Sequence, residues 1–254
     1  MRLLVLGASE TGLLAAARAR GVFAIAVDPD ASAPGFRLAQ RRAILPLDDE
    51  PALERLVEAG HVDGVLGTDS PTTAVAARIA ARFGLPHPLS PEAAVLVSSR
   101  LRQRTKLAEA CIPQTRWAVL RGDAEATFPC VVGPLDRKGR RLAEEARAGA
   151  EVTVTAISRA GAFEPLFGSG APAELARRAA QALGIRDGLT STRLLLGVDG
   201  LRVASLQAHV SARETELCRL LLGVDVHGLA LDAAFGLSRS AEDVRFGSAD
   251  AQVA

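Results

Sequence analysis

The stretch FPCVVGPLDRKGRRLAEEARAGAEVTVTAI, residues 128–157, divides a chain of 254 residues into two unlike parts. Before it, apolar runs alternate with helix-forming stretches as repeating strand–helix units. After it come one long helix, two adjacent strands and two further helices. Upstream, residues 2–7 are a continuous apolar run ending in glycine, as a central parallel strand buried on both faces requires. Residues 12–20 are rich in alanine and leucine and predict a helix, and residues 22–28 predict a second strand. The right-handed crossover rule makes these two strands parallel. Further strands at 43–47, 63–67 and 85–89, with helices at 51–59 and 72–83, continue the alternation. The pattern predicts an α/β fold whose N-terminal part is a doubly wound, Rossmann-like parallel sheet of roughly four or five strands. Helices at 91–97 and 101–110 follow.

Downstream, residues 172–183 read as an amphipathic helix with a proline near its start. Strands at 189–196 and 201–208 flank Val198-Asp199-Gly200, where Asp-Gly is a strong hairpin signal. Helices at 214–222 and 226–235 close the ordered part, and the chain from Ser238 on reads as a polar tail. The expected division is a first domain over residues 1–112, a second over 113–237, and a tail over 238–254.

Composition bounds the function. With 48% hydrophobic and 23% charged residues the chain is globular. A net charge of +1 supplies no electrostatic reason to bind nucleic acid or an acidic membrane. Among 30 basic residues only Lys106 and Lys138 are lysines. Cys111, Cys130 and Cys218 lack any CxxC or Cys/His spacing, so they predict free thiols rather than a disulfide framework or a zinc site. No run approaches the ~18 apolar residues of a membrane span, and no signal-peptide pattern opens the chain. The expectation is a soluble cytoplasmic protein.

The dividing stretch carries a family likeness. FPCVVGPLDRKGRR resembles the lid strand and glycine-bearing loop of ATP-grasp enzymes, "VVKPxDxxGxxG" after a Phe-Pro pair. LAEEARAGAEVTVTAI resembles the family's next landmark, an acidic, glycine-containing turn followed by "EVTV". CIPQTRWAVL, residues 111–120, resembles the "GIPxPxxxxV" passage between the first and second domains. The resemblance implies a carboxylate–amine ligase-like protein with a pre-ATP-grasp domain and a reduced ATP-grasp-like α+β domain. It implies ATP or ADP as cofactor and a short, free-standing lid. It also assigns residues. Arg100 stands where the family's first lysine falls and Gly133 where its second falls. Lys138, Gly139 and Arg140 belong to the lid loop that would clamp a polyphosphate. Arg193, Ser205 and Gln207 take the places of the metal carboxylates and their neighbour, with His209 and Arg213 where the family often binds substrate carboxylate. Mg²⁺ is held through oxygen ligands, commonly one or two carboxylates with phosphate oxygens. No metal is therefore expected at the family site.

Two strand ends of the first domain add candidates independent of that likeness. Gly7-Ala8-Ser9-Glu10-Thr11-Gly12 is a strand-to-helix turn with part of the GxGxxG spacing, and Asp28 follows at the distance of an acidic ribose ligand. This leaves NAD binding open, as it leaves open a turn that only packs helix on sheet. Thr68, Asp69 and Ser70 end another strand, where they can meet a ligand, cap the next helix, or do both. All of these predict a cleft mouth binding a small molecule. The functions in view are a degenerate metabolite- or nucleotide-binding protein of a biosynthetic pathway, a divergent ligase forming an acyl phosphate, an NAD(P) binder, and a non-catalytic subunit working as a homodimer or with a partner enzyme.

Overall fold

The structure is a computed structural model that describes residues 1–135, 140–146 and 149–237. The lid-loop candidates Lys138 and Gly139, and the polar tail, lie outside the described residues. The first sheet contains β1 (Arg2–Leu6), β2 (Phe23–Asp28), β3 (Arg41–Ile44) and β4 (Gly64–Gly67), ordered β3-β2-β1-β4 and parallel throughout. The apolar run of β1 explains its central place, because successive side chains point to opposite faces. Leu3 and Val5 pack with Leu13 and Leu14 of α1 (Thr11–Ala19), while Leu4 and Leu6 pack with Leu53 and Val57 of α2 (Glu50–Gly60) and Val75 and Ile79 of α3 (Ser70–Phe83). Each fully buried leucine or valine contributes about 1.5–3 kcal/mol.

Residues 85–89 do not form a fifth strand. Pro86 and Pro88 have no N–H to donate, and the Nδ1 of His87 accepts from the Leu89 N–H at 3.1 Å, which closes a local turn instead. Strand β3 begins earlier than the apolar pattern indicated, at two arginines that an edge strand leaves exposed.

Helices α4 (Pro91–Ser98) and α5 (Arg100–Glu109) lead to a small antiparallel sheet. It is made of β5 (Trp117–Leu120), β6 (Cys130–Pro134) and β7 (Arg141–Glu145) in the order β5-β7-β6. A larger antiparallel sheet, ordered β11-β10-β8-β9, holds β8 (Ala150–Arg159), β9 (Ala162–Phe167), β10 (Gly188–Gly197) and β11 (Gly200–Gln207). Strand β9 is absent from the sequence reading. Pro165 breaks its pattern, and its pairing with β8 shifts register between Thr155 and Ala156. One face of the larger sheet is closed by α6 (Gly170–Ala182), where Leu175, Ala176 and Ala179 join Val154, Leu194 and Leu206 in a core. Across the other face lie α7 (Ala212–Leu217), a π-helical turn over Cys218–Leu222, and α8 (Val226–Ala234). Helix α8, expected with the second domain, also returns to the first: its Leu231 and Ala234 share a core with Leu3 and Val5.

The small sheet is not free-standing. Glu144 binds Arg100 and, at 2.9 Å, Arg104 of α5, while Glu145 binds Arg116 at 3.0 Å and Arg202 of β11 at 3.0 Å. Two adjacent carboxylates on β7 thus tie the sheet to a helix and to the larger sheet.

Candidate functional site

The site is built on the face of the larger sheet away from α6. Gly197 pairs with Gly200 across Val198-Asp199, so the hairpin forms where Asp-Gly indicated. A simple hairpin would then set Arg193 against Ala204. Instead the register shifts between Arg193 and Leu194, which brings Ser205 opposite Arg193 and Gln207 opposite Ser191. The bulge has a visible cause in α5. Arg104, 3% exposed, donates to the carbonyls of Val203 at 3.1 Å and Ala204 at 2.6 Å. Gln103 brackets Leu206, two residues on, donating to its carbonyl at 2.8 Å and accepting from its N–H at 3.1 Å. Because the bulge re-aims the strand, Ser205, Arg193 and Thr153 form one cross-strand row and Gln207, Ser191 and Thr155 form the next.

Helix α7 forms the opposite wall. Ser211 and Glu214 make a capping box, with the Glu214 carboxylate accepting from Ser211 N at 2.8 Å and Ser211 Oγ at 2.6 Å. The other oxygen of Glu214 accepts from the Ser191 hydroxyl, which fastens the helix to β10. Between sheet and helix lies a cavity of about 450 Å³, lined by Arg193, Arg213, Glu151, Thr153 and Thr155 with Phe167, Leu217 and Cys218 as its apolar part. Burial, reinforced by Glu214, pushes the Cys218 thiol above its usual value, so it is a packing group rather than a nucleophile.

His209 joins this wall to the first domain. Burial pushes its imidazole below the usual histidine range, while Asp69, Glu214 and Glu10 pull the other way. Those three carboxylates therefore share one neighbourhood with it. Its buried Nδ1 has no hydrogen-bond partner among the described residues.

Of the residues expected to bind a nucleotide or substrate, Arg193 and Arg213 line the cavity, while Gln207 stands one row along the same face. Arg100 is held by Glu144 and does not reach out as an unengaged phosphate ligand. Arg140 already has an interaction within the protein. The first-domain candidates are largely structural. Asp28 is 5% exposed, and its two oxygens accept from Ala8 N at 2.7 Å and Asp30 N at 2.9 Å. That is a backbone clamp. Gly7 adopts φ +98, and a Cβ there would come 2.2 Å from Thr68 Oγ1. Thr68 itself donates to the Leu6 carbonyl at 3.2 Å. At Gly12 a Cβ would come 2.2 Å from Nε2 of His227, so this glycine lets α8 pack on α1. Asp69 caps α3 in a capping box with Thr72, and the Ser70 carbonyl accepts from the Ser98 hydroxyl. Ser9, Glu10 and Thr11 remain exposed at the start of α1.

The sequence reading missed Glu151, Thr153, Thr155, Ser191 and Glu214. Alternation within AEVTVT puts Glu151, Thr153 and Thr155 on one face, and Ser-x-x-Glu at 211–214 is a capping-box signature, so both signals were present. The donor set does not suit Mg²⁺. A guanidinium stands in the row Ser205–Arg193–Thr153, which offers no carboxylate, and both oxygens of Glu214 are engaged inside the protein. Among the described residues, no three His, Cys, Asp or Glu side chains are grouped so as to hold a metal ion.

The combination of a parallel sheet with helices, a small strand cluster and a larger antiparallel sheet has clear counterparts. An L-amino acid ligase from Bacillus licheniformis superposes with a TM-score of 0.79 at 19% identity, over 95% of this chain and 75% of that one. Phosphoribosylglycinamide synthetase from Anaerococcus prevotii gives 0.74 at 18%, over 93% and 75%. An N5-carboxyaminoimidazole synthetase from Staphylococcus aureus, solved in complex with ADP, gives 0.71 at 15%, over 94% and 78%. No family model matches the chain, and no curated protein sequence matches it. The fold is that of the ATP-grasp carboxylate–amine ligases, in a shorter chain. Among the described residues, no helix is long and apolar enough to cross a membrane.

Proposed function

We propose that this protein is a degenerate member of the ATP-grasp fold that binds a small metabolite or nucleotide in the cleft between its two halves and serves a biosynthetic pathway. The observation that carries this reading is the row Ser205–Arg193–Thr153. Phosphoryl transfer in such a frame relies on divalent cations to neutralise developing charge, and this row has a fixed cation of its own where their ligands would stand. The same row argues against conventional ATP-dependent ligation. Gly133 points to the same conclusion, because it offers no side chain at the lysine position of the lid. The cavity beside the row, lined wholly by residues between Glu151 and Cys218 of the second half, is about 450 Å³, within the roughly 300–1,000 Å³ of small-molecule sites, and is the part of that cleft the reading relies on.

A thermal-shift screen with ATP, ADP, NAD and NADP and a metabolite panel, each with and without Mg²⁺, tests binding. A ligand at a hundredfold excess over its Kd stabilises the native state by about 2.7 kcal/mol. A coupled assay for ADP release with carboxylate and amine panels tests turnover. A stabilising ligand without ADP release is the expected result. Sustained, magnesium-dependent ADP release would establish the second reading, a divergent ligase. That reading is supported by the likeness of the whole fold to solved ligases.

A further inference from the structure

Four charged side chains line the cavity, and they differ in how far the protein already uses them. Glu214 accepts from Ser191 through one oxygen and from Ser211 N and Oγ through the other. Glu151 approaches Arg193 Nε at 4.0 Å, at the outer limit of an ion pair, and has a further interaction within the protein. Arg213, exposed on the first turn of α7, forms no hydrogen bond or ion pair with any described residue. The formal charges balance, but the unspent hydrogen-bonding capacity belongs to the two arginines. Each offers a rigid fork of donors that matches a carboxylate or phosphate group. The hydroxyls of Thr153 and Thr155 add neutral donors from the sheet, while Phe167 and Leu217 add an apolar wall.

We propose that Arg193 and Arg213 form a metal-independent anion site, which takes the carboxylate or phosphate group of a small organic acid whose apolar part lies against Phe167 and Leu217. This rests on the reading of the cavity as a ligand site and adds the chemical class of the ligand. It differs from what the fold implies: the fold's magnesium would bring positive charge to an anion here, whereas this chain supplies the charge as guanidinium. Added Mg²⁺ then has nothing to bridge, and an acidic metal ligand is not needed.

The test is isothermal titration of the full chain with phenyl phosphate, phenylacetate, inorganic phosphate and phenethylamine, first in EDTA and then in Mg²⁺. The two organic anions are expected to bind in EDTA, with affinities that Mg²⁺ alters by less than about twofold. Arg193→Gln and Arg213→Gln should each weaken them about tenfold or more. Arg193→Lys should retain part of the affinity, because charge survives while the fork is lost. Tighter binding of phenyl phosphate than of phenylacetate assigns the site to phosphorylated ligands, and the reverse order assigns it to carboxylates. Should Arg193→Gln fail to fold, the exposed Arg213→Gln change carries the same test. Preference for phenethylamine, a requirement for Mg²⁺, no binding of either organic anion, or full affinity in both glutamine variants overturns the proposal. If a ligand from the broad screen binds both glutamine variants normally, only the anion site fails. If the protein shows sustained, magnesium-dependent ADP release, the reading of the protein as degenerate fails instead.

Discussion

The strand ends of the first sheet and the open face of the larger sheet are both rich in polar residues, yet they use them differently. At the strand ends the polar groups serve the backbone: Asp28 clamps two N–H groups, Thr68 returns to Leu6, and Asp69 caps α3. On the larger sheet, Arg193, Thr153 and Thr155 face a cavity, and the groups that serve the backbone stand behind them, in Arg104 and Gln103. A residue type suited to a ligand site is equally suited to a turn. The distinction lies in whether its donors and acceptors are already occupied.

The largest effect should come from the support behind the cavity. Glu144→Ala leaves the buried guanidinium of Arg104 without its carboxylate, and breaking such a pair costs about 3–5 kcal/mol. Urea denaturation should show this loss. Glu145→Ala should cost less, because the side chain of Arg116 is 59% exposed and regains water, and its other partner, Arg202, is 18% exposed where Arg104 is 4% exposed. Equal losses for the two variants would mean that the bulge does not depend on the α5 arginine.

Next in size is a pH effect at residues 85–89, between the two halves. Burial pushes the His87 imidazole down to about 4, and the Leu89 carbonyl, 2.9 Å from Nδ1, only partly opposes this. The folded value lies below the unfolded value of about 6.5, so the unfolded chain binds the extra proton first. Stability is therefore complete above about pH 6.5 and is lost as the pH falls towards 4, by about 3 kcal/mol from this group. His87→Gln should remove that component. A stability difference between variant and wild type that is the same at pH 7.5 and pH 4.5 would exclude it.

Asp69→Ala then divides the two uses of a polar residue directly. As an N-cap, its loss should cost about 1 kcal/mol of stability. Affinity for the organic anions of the cavity should stay nearly unchanged. An affinity loss of about tenfold, equivalent to about 1.4 kcal/mol, would return the strand end to the ligand site.

These differences also show what could be read before the fold was seen. The parallel sheet was legible because β1 and β2 are apolar runs with no competing interpretation. The hairpin was legible because Asp199-Gly200 punctuates it. Strand β9 was not, because Pro165 interrupts the alternation of an edge strand that pairs with β8 alone. The false strand at 85–89 came from apolar residues whose intervening prolines cannot join a ladder. At the site, Arg193 and Ser205 were placed on one face by family spacing, yet only the bulge and Arg104 make that placement physically true. Glu214 lies far from Ser191 in sequence, so no local pattern could pair them.

The smallest structural effect is expected at Gly133, where it bears most directly on the contrast between a degenerate and a working nucleotide site. A Cβ built there meets no atom within 4 Å, and no positive φ is required. Strand β6 is an edge of its sheet, a place where lysine is well tolerated. Gly133→Lys should therefore change stability by less than about 0.5 kcal/mol, as exposed substitutions usually do. It also places a lysine on β6 at the position where the family likeness implies one. If the lid still reaches the cleft, ATP affinity measured by calorimetry should rise in the variant with no gain in magnesium dependence, since Arg193 remains between Ser205 and Thr153. A rise that appears only with Mg²⁺ would show that the row binds metal despite its arginine. No rise at all would mean that the lid, tied by Glu144 and Glu145 to α5 and β11, is held away from the nucleotide and not merely short of a lysine.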